Sequence, residues 1–235
     1  MAAEYLARAA GEQAWPGSQW YGQAIWYSRS GMPPPMKSTS TVRKRRPSGR
    51  VPAVAGLFGM PTTVNNVETI AAVPWIVRKG VDWFRSMGSA KSPGPKLFSV
   101  SGDVRNPGNF EFPLGVPARE VIMGAAGGML EGKTLKAWTP GGSSTPMLTG
   151  EHLDAPMDFE GMVAAGSLLG TAAMIVMSDD VCIVSACLNF TEFYAHESCG
   201  KCTPCREGTD WMRKILMRLE TGQGREEDMD TLKDI

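Results

Sequence analysis

Three cysteines, Cys199, Cys202 and Cys205, follow one another at C-x2-C-x2-C spacing. Each two-residue gap lets the backbone turn and direct its own N–H groups at the sulfurs, so the run can surround one small inorganic centre. Cysteine thiolates in runs of this kind hold iron–sulfur clusters. A cubane cluster takes four protein ligands and the run supplies three, so the fourth has to come from elsewhere.

Zinc is the main alternative occupant of the run. Structural zinc sites usually draw on two separated ligand pairs, and no second Cys or His pair follows Cys205. Cys182 and Cys187 lie in and just after a predicted strand, where we expect buried structural thiols. His196 flanks the run; an alternative ligand role is open to it, but we expect it to pack or to form hydrogen bonds. The pattern favours an iron–sulfur cluster over zinc and over a set of inert thiols.

Composition narrows the class of protein. The 235 residues carry a formal net charge of zero and are 43% hydrophobic, as expected of a globular protein with real cores. No run of about 18 apolar residues predicts a membrane span, and the N-terminus lacks the pattern of a secretory signal. The odd count of 5 cysteines indicates metal chemistry in a reducing compartment rather than a disulfide framework.

Residues 1–46 differ in composition from the rest of the chain. No Asp or Glu occurs between Glu12 and Glu68, and the basic run Arg43-Lys44-Arg45-Arg46 falls in this gap. Three interpretations stay open. The segment is a basic tail that binds nucleic acid or an anionic surface, a disordered tail, or not the native product of its reading frame.

A helix is predicted after Asn65 and Asn66. Either asparagine can cap it, and Glu68 suits its positive N-terminal end. We expect the helix to kink at Pro74 and to end at Gly80. Capping and turn chemistry explain the asparagine pair from local features, while the alternative is a polar pocket for a phosphate or ring of a cofactor.

Residues 91–178 have the pattern of a compact α+β module of β-grasp type. The predicted strands are Leu97–Ser101, Phe110–Phe112, Leu135–Thr139 and Met174–Met177. A helix is predicted over Pro117–Ala126, closed by Gly127-Gly128. The loop Gly141–Pro146 is either a tight surface loop or a cradle for an anion; it lacks the Lys-Ser/Thr of a phosphate-binding loop.

Residues 179–235 are predicted to form a helical region around the cysteine run. The expected elements are a strand over Val181–Ala186 and helices over Leu188–His196, Glu207–Thr221 and Glu226–Ile235. On the second helix, one apolar face consists of Trp211, Ile215, Leu216 and Leu219. Arg213, Lys214 and Arg218 are expected to face away from it.

Four motifs carry a resemblance to a known family. They are Val54–Thr69 (VAGLFGMPTTVNNVET), Lys96–Gly108 (KLFSVSGDVRNPG), Gly141–Pro146 (GGSSTP) and Phe193–Thr209 (FYAHESCGKCTPCREGT). In order and spacing they resemble the NADH-binding flavoprotein, or F subunit, of NADH:quinone oxidoreductase, respiratory complex I. The resemblance covers about residues 47–235, and diaphorase subunits of soluble NAD-linked hydrogenases and formate dehydrogenases share the motifs.

The resemblance implies an oxidoreductase that takes a hydride from NADH onto FMN and passes electrons to a [4Fe–4S] cluster toward quinone. By position in the motifs, Val64, Asn65, Asn66 and Thr69 are implied FMN contacts. Cys199, Cys202 and Cys205 are implied cluster ligands. The implied partners are a thioredoxin-like [2Fe–2S] subunit and the large iron–sulfur subunit, with no nucleic acid. The implied location is the cytoplasmic side of the inner membrane, peripheral and without a membrane span.

The implied fold class is α+β in three parts. Residues 47–90 correspond to the end of an α/β FMN-binding domain, 91–178 to a soluble-ligand-binding β-grasp (SLBB) module, and 179–235 to a helical iron–sulfur domain. Residues 1–46 lack the family's glycine-rich loop, and the family's fourth cysteine lies beyond Ile235. We therefore expect a fragment incomplete at both ends, with little NADH oxidation of its own. A non-catalytic electron-transfer or scaffold module is the alternative from another class.

Overall fold

The computed structural model describes residues 52–55, 58, 60–63 and 65–235. The interpretations placed on residues 1–46 therefore lie outside the described part of the chain. The helices are α1 (Pro52–Ala55), α2 (Val67–Lys79), α3 (Val81–Arg85), α4 (Phe159–Ala164), α5 (Ile183–Glu197), α6 (Thr209–Glu220) and α7 (Asp228–Asp234). The strands are β1 (Pro95–Gly102), β2 (Gly108–Pro113), β3 (Leu135–Thr139) and β4 (Ala173–Ser178). π-Helical turns cover Glu120–Ala125 and Pro204–Gly208, and a 3₁₀ turn covers Gly150–His152.

The four strands form one mixed sheet in the order β2-β1-β4-β3. β1 pairs antiparallel with β2, and Phe98 lies opposite Phe110. β1 and β4 are parallel, while β3 and β4 are antiparallel. All four predicted strands are confirmed, each within the bounds of an observed strand, because alternating and β-branched segments bounded by turns are a strong strand signal.

The central strand β4 is buried on both faces, which explains its unbroken apolar sequence. Successive side chains of a strand point to opposite faces. Met174 and Val176 belong to the main core with Trp138, whereas Ile175 and Met177 belong to a second cluster on the other face. The sheet therefore separates two apolar layers.

The second apolar layer joins the sheet to helix α5. Ala186 and Phe190 of this helix are buried with Ala137, Ile175 and Met177 of the sheet. Helix α6 packs in turn against α5, and its Ile215 and Leu216 are buried. The cysteine run lies between these two packed helices, so its position is set by the sheet through α5.

The predicted strand over Val181–Ala186 is wrong. Cys182 is the N-cap of α5, and the helix begins at Ile183. A short apolar run with β-branched residues does not by itself distinguish a strand from a buried helical segment. Here Ala186 and Phe190, four residues apart, share the helix face that covers the sheet, and this tertiary contact decides the structure.

Two helix predictions need smaller corrections. The helix predicted over Pro117–Ala126 is a π-helical turn over Glu120–Ala125, and Pro117 bridges to Pro156 before it. The helix predicted over Glu207–Thr221 is divided into the π-helical turn Pro204–Gly208 and α6.

The predicted faces of this last helix also change. Trp211 is 54% exposed, and Arg218 is half-buried because it forms an ion pair with Asp228 of α7. The apolar face predicted for α6 is therefore confirmed at Ile215 and Leu216 but is wrong at Trp211. The outward orientation predicted for Arg218 is wrong as well.

Helix α2 is tied to the sheet at its first turn. Asn66 caps it, since its side chain accepts a hydrogen bond from the backbone N–H of Thr69 at 3.1 Å. Glu68 accepts from the backbone N–H of Leu97 and pairs with Lys96, both at 2.8 Å. The helix runs through Pro74 and ends at Lys79, with Gly80 as its C-cap. Taken together, the described residues have a mixed α+β architecture with one sheet and several helices, which confirms the predicted fold class at this level.

Candidate iron–sulfur site

The three cysteines of the run lie on an exposed loop and turn that connect α5 to α6. Ser198 is the C-cap residue of α5, and its Oγ accepts a hydrogen bond from the backbone N–H of Gly200 at 3.3 Å. Gly200 has a φ of 73°, a left-handed conformation that glycine adopts without a steric cost. The loop thus reverses direction directly between Cys199 and Cys202.

Cys205 lies on the π-helical turn Pro204–Gly208 rather than in the loop. Its Sγ is 3.5 Å from the Oγ of Ser198, which brings the end of α5 against the start of the next helical segment. All three thiols are exposed. The soft thiolate chemistry of the run suits an iron–sulfur cluster.

The thiols are not gathered around one point. Within the described residues, no group of three or more His, Cys, Asp or Glu side chains is arranged to hold a metal ion. The fit of the run to a cluster therefore rests on the chemistry of its three thiols and on their common exposed loop.

Arg206 crosses back over the run. Its Nη1 donates to the carbonyl oxygen of Gly200 at 3.0 Å, and its Nη2 donates to Oγ1 of Thr203 at 3.4 Å. Its Nε donates to Oε1 of Glu207 at 2.7 Å. Reasoning from the sequence missed this arginine, because its guanidinium reaches the run only where the loop reverses direction at Gly200. We call the N–H donors of this guanidinium the fork of Arg206.

A cleft of about 450 Å³ opens beside the run. It lies between the turn that carries Cys205 and helix α7, with the exposed indole of Trp211 on its wall. Ile235 reaches this wall, since a Cβ built on Gly208 would lie 3.2 Å from its side chain. Trp211 thus lines the cleft and is not packed into the face predicted for α6.

The two upstream cysteines differ from the buried thiols that we predicted. Cys182 is exposed, and its Sγ lies 3.8 Å from the carboxylate of Glu220. Cys187 is half-buried in α5. Burial raises the pKa of the Cys187 thiol, and the nearby Cys182 raises it further. Neither thiol is grouped with the run in this structure.

His196 is exposed and its Nδ1 lies 3.1 Å from a carboxylate oxygen of Glu197. The hydrogen-bonding role predicted for this residue is therefore confirmed.

The predicted FMN contacts lie at the start of helix α2. Val64 is outside the described residues. Asn65 is exposed, and its Nδ2 is 3.4 Å from Oγ1 of Thr63. Asn66 uses its Oδ1 to cap the helix at Thr69. The capping role of Asn66 is confirmed, and the exposed amide of Asn65 at a helix N-terminus has the chemistry to meet a polar ligand.

The loop Gly141–Pro146 makes hydrogen bonds of its own. Oγ1 of Thr145 accepts from the backbone N–H of Gly141 at 3.2 Å and donates to the carbonyl of Gly142 at 2.8 Å. Ser143 Oγ lies 2.5 Å from the hydroxyl of Tyr194 on α5. The loop therefore also connects the sheet module to the helix that precedes the cysteines, a contact that no local sequence signal indicates.

Comparison with known families agrees with this architecture. Residues 97–148 match the model of the SLBB domain, and residues 185–235 match the model of the NADH-ubiquinone oxidoreductase-F iron-sulfur binding region. The first match lies in the sheet module and the second covers the helical region that carries the cysteine run.

Matches to individual proteins are more specific than the two family models. The chain is 62% identical over 184 residues to the F subunit of NADH-quinone oxidoreductase from Mycobacterium bovis, 59% to that of Streptomyces coelicolor and 48% to that of Escherichia coli. Each match covers 78% of this chain and 41% of the relative. The chain is therefore a relative of these F subunits, which confirms the resemblance drawn from the motifs, and it spans about two fifths of their length.

A solved structure shows the same fold. The crystal structure of an NAD+-reducing [NiFe]-hydrogenase in its H2-reduced state matches with a TM-score of 0.68 and 39% sequence identity. The match covers 78% of this chain and 31% of the hydrogenase chain. The shared fold extends the likeness to a second group of NAD-linked oxidoreductases.

Proposed function

We propose that this chain is the iron–sulfur-binding part of an NADH dehydrogenase flavoprotein subunit. In this proposal Cys199, Cys202 and Cys205 are three of the four ligands of a [4Fe–4S] cluster, and electrons pass through this cluster toward quinone. The observation that carries the proposal is the exposed cysteine run on the connection between α5 and α6, within the residues that match an iron–sulfur-binding region.

FMN and NADH belong to the same proposal. FMN, when bound, supplies the chemistry that divides the two electrons of a hydride into single-electron transfers. Val64, Asn65, Asn66 and Thr69 are the proposed contacts, and the exposed amide of Asn65 at the start of α2 supports them. The enzymatic activity proposed for the whole subunit is NADH:quinone oxidoreduction.

We assign the parts of the chain within this proposal. Residues 47–90 are the end of an FMN-binding domain and 91–178 a β-grasp module, supported by the start of β1 at Pro95 and by the mixed sheet. Residues 179–235 are the helical iron–sulfur domain, supported by the end of β4 at Ser178. Residues 1–46 remain a separate segment of atypical composition.

The proposed partners are the thioredoxin-like [2Fe–2S] subunit and the large iron–sulfur subunit of the same complex. The cysteine loop is on the surface, which suits electron transfer to a neighbouring subunit. We place the chain at the cytoplasmic side of the inner membrane through that complex. No described helix has the length and apolar character needed to cross a membrane.

The proposal is tested by electron transfer into the cluster. The 235-residue chain is reconstituted anaerobically with ferrous iron and sulfide, and chemically reduced FMN is then added. We expect the visible absorption of the cluster to bleach as the flavin is oxidised, with a paramagnetic signal from the reduced cluster. A cluster that forms but takes no electrons from reduced flavin contradicts the proposed function.

A diaphorase subunit of an NAD-linked hydrogenase is the second candidate. The 39% identity to the hydrogenase structure favours it, but the 62% identity to an F subunit of NADH-quinone oxidoreductase is higher. Co-purification of the chain from its own cells separates the two. The first candidate predicts quinone-reductase subunits in the complex, and the second predicts a nickel-containing subunit.

A further inference from the structure

Arg206 connects two segments that both carry cysteines. Its guanidinium donates to the carbonyl oxygen of Gly200, which lies between Cys199 and Cys202. Arg206 itself directly follows Cys205 on the π-helical turn. The side chain therefore links the first gap of the run to the turn that holds the third thiol.

Little packing holds the loop in place at this point. A Cβ built on Gly200 would meet nothing within 4 Å, and Lys201 and Cys202 are exposed. The described hydrogen bonds to the loop between Cys199 and Cys205 come from Oγ of Ser198, from the guanidinium of Arg206 and from the backbone N–H of Arg206, which donates to the carbonyl oxygen of Cys202 at 2.9 Å. A planar guanidinium suits this role because it offers several donors in a fixed geometry, which a lysine ammonium does not.

The charge of Arg206 also bears on a cluster in this loop. Positive charge near a cluster stabilises its reduced, more negative form, and net charge is one of the factors that set cluster potentials. Lys201 and Arg206 are the cations of this stretch, and Glu207 is its anion, paired with Arg206 at 2.7 Å. Both side chains of the pair are nearly half exposed, so solvent screens the effect but leaves its direction.

We infer that Arg206 is a positioning residue of the cysteine loop with two separable roles. Its fork holds the carbonyl of Gly200 against the turn of Cys205, and its charge raises the reduction potential of the bound cluster. Both roles rest on the proposed iron–sulfur function, but the first also makes a claim about the metal-free chain.

Four variants separate the two roles in the reconstituted full chain. Arg206→Gln removes charge and fork, Arg206→Lys keeps the charge, and Glu207→Gln removes the opposing charge. Arg119→Gln is the matched control, because Arg119 is an exposed arginine paired with Asp154 on the sheet module. The readouts are the midpoint potential, followed by spin resonance during a redox titration, and the rate of iron loss to a chelator.

We expect Arg206→Gln to lower the midpoint potential and to lose iron about tenfold faster, as variants of residues that orient metal ligands commonly do. Arg206→Lys should keep a potential close to that of the unsubstituted chain but lose iron faster. Glu207→Gln should raise the potential without faster iron loss, and Arg119→Gln should change neither. Equal potentials in Arg206→Gln and Glu207→Gln overturn the role of charge, and unchanged iron loss in both Arg206 variants overturns the role of the fork.

Amide hydrogen exchange of residues 199–206 in the metal-free chain tests the fork without a cluster. Exchange should rise in both Arg206 variants and stay unchanged in Arg119→Gln. If the unsubstituted chain binds no cluster, the proposed function fails, and this exchange measurement still decides the inference about the loop. Equal exchange in all chains refutes it.

Discussion

At the scale of single residues, Gly102 is the clearest steric constraint in the sheet. It ends β1 with a φ of 95°, and a Cβ at this position would lie 2.0 Å from the carbonyl oxygen of Val176. We expect Gly102→Ala to lower the free energy of unfolding by on the order of 2–4 kcal/mol, since backbone strain and a clash with β4 add together.

Gly132→Ala is the control for this prediction. Gly132 also has a positive φ, 73°, but a Cβ there would meet nothing within 4 Å. We expect it to cost only about 1 kcal/mol from the backbone conformation. Guanidinium unfolding of the two variants makes the comparison, and an equal loss in both would show that the contact with Val176 does not matter.

Single residues also show where sequence reasoning stops. The types and spacing of Cys199, Cys202 and Cys205 indicate their chemistry, because ligand spacing is local. The fork of Arg206 and the hydroxyl pair of Ser143 and Tyr194 are not indicated, because each depends on how the loop or α5 is placed in three dimensions.

At the scale of elements, the first turn of α2 depends on one cap. Asn66→Ala removes the side-chain acceptor of the Thr69 N–H, and we expect it to destabilise the helix by about 1 kcal/mol. Asn65→Ala is the control, since Asn65 makes only a 3.4 Å contact with Thr63. Amide exchange over the first turn of α2 measures the effect of each substitution on the helix. Equal protection in the two variants would contradict the assignment of Asn66 as the cap.

Helix α7 is held to α6 by an ion pair that acid should weaken. The side chain of Arg218, and then the backbone N–H of Arg225, lower the pKa of Asp228 below its ordinary value of 3.8. A carboxyl group with a lowered folded pKa contributes stability above the unfolded value, and this is lost as the pH falls through the folded pKa. The contribution is therefore complete at neutral pH and disappears in acid.

We expect Asp228→Asn to be less stable than the unsubstituted chain at pH about 7 and to lose less stability on acidification below about 4. Asp230→Asn is the control on the same helix, because the side chain of Asp230 is 80% exposed and pairs with Lys233. Urea unfolding across this pH range distinguishes them. A pH profile for Asp228→Asn parallel to that of the unsubstituted chain would rule out this linkage.

An element could be predicted where local sequence determines it, and could not where tertiary contacts determine it. Strands β1 to β4 follow from alternation and turn residues, which are local. Helix α5 does not, because its apolar run over 181–186 fits a strand equally well until Ala186 and Phe190 are placed on the sheet. The exposure of Trp211 on the wall of the cleft beside α7 is likewise not indicated by the periodicity of α6.

At the scale of the whole molecule, a continuous series of packed elements connects the sheet to the cysteines. β4 supplies the second apolar layer, α5 packs on it, and α6 packs on α5. The run lies where these two helices meet, so a rigid sheet module positions an exposed loop. This arrangement fixes the two ends of the loop, while few contacts hold the loop itself.

The central claim is that Cys199, Cys202 and Cys205 together hold the cluster, and ligand substitution tests it most directly. Iron, sulfide and zinc contents, and the spin-resonance spectrum after reduction with dithionite, are measured on the reconstituted chain and on single Cys→Ala variants. We predict a [4Fe–4S] signal in the unsubstituted chain, with a thiol of the reconstitution mixture at the fourth iron, and loss of this signal in each variant of the run, which keeps two of the three thiols. The same signal should be kept in Cys182→Ala and Cys187→Ala, and zinc should not replace iron. A cluster that survives loss of Cys202, or one that depends on Cys182 or Cys187, would contradict the claim.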